Sequence, residues 1–496
     1  MKRTFVPLLF VACGPGASLS KAPPTVLETA SLNVVAVSAD VLGPVPTGAK
    51  APAFFPPTPR SSPLTNGVEL RLLESHAVPL VSVVLALDVG ATLDPVGKEG
   101  LSHFTAHMLA EGAGKLGGSE LAAAFESLGT SLHIEVDADG AYFSFAVLKD
   151  NLAQAVALLA DVIEHPQLSE KDFKRAHGLW VDALKARSDD ADSVARVVMR
   201  KAVMGESAGG HPWSGTLAGA KGITRADVRH HYSDNYGSHS AHFAAAGDVS
   251  SIELTKILNA HFAKWKHALR ASRPREAPTQ VEKLPRLIIV DRPEAPQAVV
   301  GFARMGLAAV EPELPGVTRA NIALGGSFTS RLNQDLREKH GWTYGARSAF
   351  SVSRGPGIMV AWAAVQTDAT IDASKALLAD IHEFAHKGLT EDEVSKTRAT
   401  LNAEFVGSYS TVDAISARLA HHAILGEPLD ADAALLQAAT SLDGLALNVL
   451  TKKYFATDDG TFVIVGPLER FRARLSELDL GEPQLRDAEG QVIKPK

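Results

Sequence analysis

Cysteine is almost missing: Cys13 is the only one in 496 residues. A single thiol supports no disulfide framework, and the pattern fits an exported protein that avoids stray disulfides. Basic residues are in the minority. The 49 Lys and Arg against 56 Asp and Glu leave a formal charge of −7 and a pI near 6.2, so the chain has no basic footprint for nucleic acid. No interior apolar run approaches the ~20 residues that a transmembrane helix needs. What is there is the composition of a globular protein with ample core, 46% hydrophobic and 21% charged. The length predicts about three domains of ~150 residues, or two large ones.

The chain opens on basic Met1-Lys2-Arg3, continues through apolar Phe5 to Ala12, and reaches Leu9-Phe-Val-Ala12-Cys13 before Gly-Pro-Gly. This resembles a bacterial lipoprotein signal in which Cys13 becomes the lipidated first residue. That resemblance implies residues 1–13 as signal and a lipoprotein held at the cell envelope, membrane-anchored and facing the periplasm. Residues 14–62, rich in Pro, Ala, Ser and Gly, read as a tether. A first lobe, 63–270, opens on the alternating strand Val68-Glu-Leu-Arg-Leu-Leu and the β-branched run Pro79 to Val89, which suits a buried strand. The charged stretch 271–284 is a linker, and 285–496 is a second lobe. That lobe repeats the first: Ala298-Val-Val-Gly-Phe-Ala matches the Val-Val-Leu-Ala-Leu strand, Leu389-Thr-Glu-Asp-Glu-Val matches Leu168-Ser-Glu-Lys-Asp-Phe, and Phe462-Val-Ile-Val-Gly-Pro matches His242-Phe-Ala-Ala-Ala-Gly-Asp. Ser or Thr followed by acidic residues predicts a capped helix start in both copies. The expected fold is α+β, two similar lobes with strands packed under helices.

The most informative segment is Gly100-Leu-Ser-His103-Phe-Thr-Ala106-His107-Met-Leu-Ala-Glu111-Gly. At helical spacing, positions four apart share one face, so His103 and His107 can converge on one tetrahedral metal. Glu111 continues that stripe, and Gly112 and Gly114 are expected to end the helix.

Gly-Leu-Ser-His-Phe-x-x-His-Met-Leu followed by Glu-Gly resembles the pitrilysin/insulinase family of inverted zincins, which includes mitochondrial processing peptidase. The family carries His-x-x-Glu-His and a glutamate ligand some 75 residues downstream, before an Asp-Asp turn. Here Ala106 stands at the general base, and Ala183, in the segment ending Ser-Asp189-Asp190, stands at the third ligand. Asp182 and His177 are the neighbouring alternatives, one pointing about 100° away and the other nearly two turns off. His211-Pro212-Trp213-Ser-Gly215 and Asp248-Val249 are similar to a family turn and a family strand end. In the second lobe, Ser-Arg331-Leu…Leu-Arg337-Glu-Lys-His-Gly-Trp-Thr-Tyr344 resembles the segment whose arginine and tyrosine contact substrate. A guanidinium and a phenol donate to a developing oxyanion, so Arg337 and Tyr344 are the expected substrate-binding pair.

The resemblance then implies a catalytically inactive subunit that binds unstructured peptides and completes the chamber of a homologous, active zinc-bearing partner. No stoichiometric cofactor is expected, with zinc in the partner or weakly at His103 and His107. The alternatives are an active zinc metalloendopeptidase with substitute ligands, and a stand-alone peptide-binding lipoprotein.

Overall fold

The computed structural model describes residues 53–266 and 284–493. Cys13, the expected signal, most of the tether and nearly all of the linker lie outside these residues. Ala53 onward forms one compact unit.

The first lobe runs β1 (Arg60–Pro63), β2 (Glu69–Glu74), β3 (Leu80–Leu87), α1 (Leu101–Leu109), a small hairpin β4 (Gly112–Ala113) and β5 (Leu116–Gly117), α2 (Gly118–Ser127), β6 (His133–Val136), β7 (Ala141–Leu148), α3 (Leu152–Glu164), α4 (Glu170–Asp189), α5 (Ala191–Met204), α6 (Leu217–Gly222), α7 (Arg225–Asn235), β8 (Ala241–Gly247) and α8 (Ser251–Phe262). The second runs β9 (Leu287–Asp291), β10 (Gln297–Met305), α9 (Leu314–Asn321), α10 (Arg331–Asn333), β11 (Thr343–Ser351), β12 (Ile358–Gln366), α11 (Thr370–Lys387), α12 (Glu391–Ser408), α13 (Val412–Leu425), α14 (Ala431–Ser441), α15 (Gly444–Tyr454), β13 (Thr461–Gly466), α16 (Leu468–Phe471) and β14 (Gln484–Leu485).

The strand orders are β1-β2-β8-β3-β7-β6 and β14-β9-β13-β10-β12-β11. Read side by side, their five inner-to-edge strands β2-β8-β3-β7-β6 and β9-β13-β10-β12-β11 are one topology twice, with β2–β8 and β9–β13 parallel, while the outer strands differ: β1 pairs antiparallel with β2 and β14 parallel with β9. The α+β repeat expected from the sequence is present. Its caps are too: Ser169 accepts from Asp172 N at 3.1 Å and Thr390 from Glu393 N at 3.3 Å.

The lobes exchange helices. Val194, Val198, Met199 and Val203 of α5 pack with Ile288, Val299, Val463 and Val465 of the second sheet. Ile415, Leu419 and Ile424 of α13 pack with Val84, Ala86 and Ala244 of the first. Each sheet is thereby covered on both faces, which is why β3 is buried along almost its whole length. The packing therefore does not follow the boundary between 63–270 and 285–496. Polar links reinforce it: Ser82 Oγ meets Ser416 Oγ at 2.8 Å, Arg200 donates to Ser351 Oγ at 3.0 Å, and Arg354 pairs with Asp88 while its backbone N–H donates to Asp139 at 2.7 Å. The end of the stretch read as tether, residues 53–62, also belongs to the fold. Phe54 packs on Tyr409 with ring centroids 5.5 Å apart, and Arg60–Pro63 pairs with β2.

Candidate functional site

The site is built on α1, whose first turn is fixed from outside the helix. The Asp94 carboxylate accepts from Gly100 N at 2.6 Å and Ser102 N at 2.7 Å, placing negative charge at the positive end of the helix. Burial nevertheless raises Asp94 to about 6, against the pull of His211 and these hydrogen bonds. Gly100 has φ +100°, and a Cβ there would lie 2.6 Å from Gly215 Cα and from Trp180 Cζ2. Gly215, at φ +90°, closes the His211-Pro212-Trp213 turn with its N–H on Pro212 O at 2.8 Å. The turn holds α4 through Trp180 Nε1 to Ser214 O at 3.0 Å. So the glycines are needed where one helix start, one turn and one indole meet.

Beneath α1, Ser102 Oγ donates to Gly90 O at 3.0 Å and lies 3.3 Å from His231 Nε2, while Asn235 Nδ2 is 3.3 Å from His231 Nδ1. With the Ser102 hydrogen committed to Gly90, His231 is a neutral Nε2–H donor. Burial pushes it from 6.5 down to about 4. A depressed folded value means this stabilisation is present above about 6.5 and lost as pH falls toward 4. Relative to wild type, H231N should therefore flatten the pH dependence of unfolding free energy in that window by up to one proton, ~1.4 kcal/mol per pH unit. Parallel curves in urea titrations at several pH values would refute this.

His103 and His107 face the same way, with ring centroids 4.5 Å apart and planes at 53°. Burial pushes His103 down to about 3, with His107 and then Arg187 adding. Partial burial, with His133 of β6 adding, also lowers His107. The expected stripe stops there. Helix α1 ends at Leu109, so Glu111 lies beyond it and pairs with Arg175.

Ala106 is 0% exposed and belongs to the core. Ala183 is exposed on α4, one turn from Trp180 and one from Arg187. The Trp180 ring lies 6.5 Å from that of His103, and His103 also feels the charge of Arg187. Position 183 therefore looks over the histidines but offers only a methyl group. The neighbouring alternatives are committed elsewhere. His177 Nε2 donates to Ala220 O at 2.8 Å and its ring packs on Phe173, Phe104 and Trp180. Asp182 is exposed and pairs with Lys185 at 2.9 Å.

Zinc does not fit this donor set. Among the described residues no group of three or more His, Cys, Asp or Glu is placed to hold a metal, and closed sites use four ligands or three plus water. Arg187, whose charge His103 feels, is itself held by Ser214 Oγ and Gly215 O at 2.9 Å each and paired with Glu489 at 3.5 Å.

The profile of the Insulinase family (Peptidase family M16) matches residues 71–213, and that of the Peptidase M16 inactive domain matches residues 222–401. The chain belongs to the insulinase family. An uncharacterised zinc protease of Streptomyces coelicolor is 23% identical over 83% of this insulinase-family chain and 90% of its own length. A relative from Helicobacter pylori, named a non-peptidase homologue, is 22% identical over 79% of the chain and 90% of its own length. A crystal structure titled peptidase M16 inactive domain, from Pseudomonas fluorescens, superposes with a TM-score of 0.76 at 21% identity, covering 82% of the chain and 98% of its own length.

Arg337 and Tyr344 of this insulinase-family chain stand in the second lobe, the histidine pair in the first. Arg337 lies in the π-helical stretch Gln334–Lys339. Its guanidinium sits over Phe328, 4.2 Å from the ring centroid, and its Nη1 is buried without a hydrogen-bond partner. Tyr344 is 91% exposed on the edge strand β11, within the register shift between Thr343 and Ala346. Both are thus less committed to the fold than Arg331, which is bound to Glu393 and to Gly388 O.

The sequence reading missed a cavity of about 790 Å³ between the second face of the first sheet and α13, with Glu126, His133, Glu135, Asp137, Asp413 and His421 in its walls. His133 and Glu135 alternate along β6, the open edge of that sheet. That alternation was the available signal, but the partner face comes from a helix far along the chain. Tyr142 Oη donates to Asp137 at 2.9 Å and sits 3.4 Å from His421 Nδ1, tying both walls together.

Proposed function

We propose that this insulinase-family chain is a catalytically inactive subunit that binds extended peptides and completes the chamber of a homologous, zinc-bearing partner. The observation that carries the reading is the histidine pair itself. It has family spacing on one helical face, yet alanine stands at the base and at the ligand. With neither base nor third ligand, nothing here deprotonates an attacking water. The names of the relatives point both ways, one a zinc protease and one a non-peptidase homologue, so the residues must decide.

The open edge of β6 supports the peptide part. An exposed strand edge accepts an extended peptide through main-chain hydrogen bonds, and neighbouring pockets read alternate side chains. Glu126, Glu135 and Asp413 in the adjoining cavity have no ion pair among the described residues. A peptide with basic side chains suits such walls.

The test is metal content. Untagged protein, dialysed mildly and measured by ICP-MS, should hold well under one zinc per chain. A183E should raise zinc affinity by supplying the third ligand. A106E should add turnover only on top of it, and less readily than position alone suggests, because Ala106 is fully buried. Stoichiometric zinc in the unmodified chain that is lost on His107→Asn, or cleavage of unstructured peptides that a chelator abolishes, would replace this reading with that of an active peptidase.

A further inference from the structure

Helix α11 contains His382-Glu383-Phe384-Ala385-His386, the forward His-Glu-x-x-His order that puts two imidazoles on one helical face. It lies in the second lobe and plays no part in the proposed peptide site. The two rings have centroids 4.0 Å apart at 31°, and both side chains are exposed. His386 Nδ1 donates to His382 O at 2.9 Å. A carbonyl only accepts, so Nδ1 carries the hydrogen and Nε2 presents its lone pair outward. A ligating histidine is ordinarily fixed by its second nitrogen in this way. His386 lies in the final turn of α11, which ends at Lys387 before Gly388 at φ +68°, and His382 one turn before it. The negative end of a helix favours a cation there. The Lys387 ammonium is tied to Glu383 at 3.1 Å.

We propose that His382 and His386 form a solvent-exposed bis-imidazole site for a divalent cation of the Cu²⁺ or Ni²⁺ class. Among the described residues no third protein ligand joins them. The metal keeps water in its remaining positions and exchanges freely, so the site is reversible rather than structural. The contrast with His103 and His107 is physical. There one ring is half-buried and feels the charge of Arg187, whereas here both rings are exposed and the neighbouring Lys387 is paired with Glu383. Imidazole suits these metals, and affinity at such sites rises toward copper.

The experiment is titration of the untagged full-length chain with NiCl₂ at neutral pH by calorimetry, alongside H386N, H382N and H107N. One equivalent should bind to wild type and to H107N. Affinity should fall by about tenfold or more in each of the other two variants. All three exchanged side chains are at the surface, and circular dichroism verifies that the fold is kept. Equal binding by wild type and H386N, absence of binding in wild type, or selective loss in H107N would each overturn the assignment.

Discussion

Replacing Arg319 by alanine should destabilise the protein by about 3–5 kcal/mol, the largest effect expected of any single change outside the proposed site. Arg319 is completely buried on α9 and no carboxylate pairs with it. Its Nη1 donates to Ala439 O and Leu442 O at 2.9 Å each, its Nη2 to Val394 O at 2.7 Å, and its Nε to Thr397 Oγ1 at 3.4 Å. Ala439 and Leu442 belong to the C-terminal end of α14, where carbonyls lack helical partners and the dipole is negative. One side chain therefore closes α14, the start of α12 and its own helix together. Alanine leaves a cavity and takes the guanidinium from three carbonyls, of which Val394 O keeps Thr397 Oγ1 at 3.2 Å and Leu442 O keeps Arg398 at 3.4 Å. R319M restores much of the volume but none of the hydrogen bonds, so it should recover only part of the loss. A fall of the thermal midpoint by roughly 3–5 °C for R319A is the scale to look for in a unit of this size. Midpoints within a degree or two of wild type would show that water or a neighbour replaces the guanidinium at little cost.

Arg319 also illustrates what was legible. An arginine between Val317 and Ala320 reads as a solvated side chain, because nothing local reveals that α12 and α14 close over it. The strands were readable: β3 and β10 are β-branched runs bounded by polar residues, and the repeat placed each in its lobe. The helix exchange was not. The apolar stripe of α5, Val194 to Val203, says that it covers a sheet but not which one. Two similar sheets make the same demand, and only the chain path after Asp190 decides it.

The site divides in the same way. Helical spacing placed His103 and His107 on one face, and the structure keeps that arrangement. Sequence also located Ala106 and Ala183. What it did not show was the surroundings: Asp94 holding the helix start from six residues away, Trp180 stacked on Phe104 at 4.7 Å, and the charge of Arg187 felt at His103. None of these follows from the spacing of residues along one helix, so periodicity carries no signal for them. Glu111 went astray for the opposite reason, since the stripe was extended past Ala110 although the chain had already left the helix.

The segment carrying Arg337 and Tyr344 is held more tightly than those two residues are. Asn321 and Ser348 bond each other's side chains and backbone at 2.6 and 2.9 Å, and Asn333 bonds Ala346 N and O at 2.9 Å each. Within this rigid frame Arg337 leaves Nη1 unpartnered and Tyr344 projects its ring into solvent. Donors held ready but unused by the fold are what a developing oxyanion requires. In a reconstituted complex with a homologue bearing intact His-x-x-Glu-His, Arg337→Ala and Tyr344→Phe should each lower kcat by ~10²–10³. Assembly and the partner's zinc should be unchanged, because Tyr344 projects into solvent and the Phe328 ring under Arg337 is itself exposed. Losing the effect in kcat but raising KM would make the pair a ground-state binding contact. If both variants assemble and run at the parental rate, the chain takes no part in the chemistry, and its role contracts to the peptide-binding edge at β6.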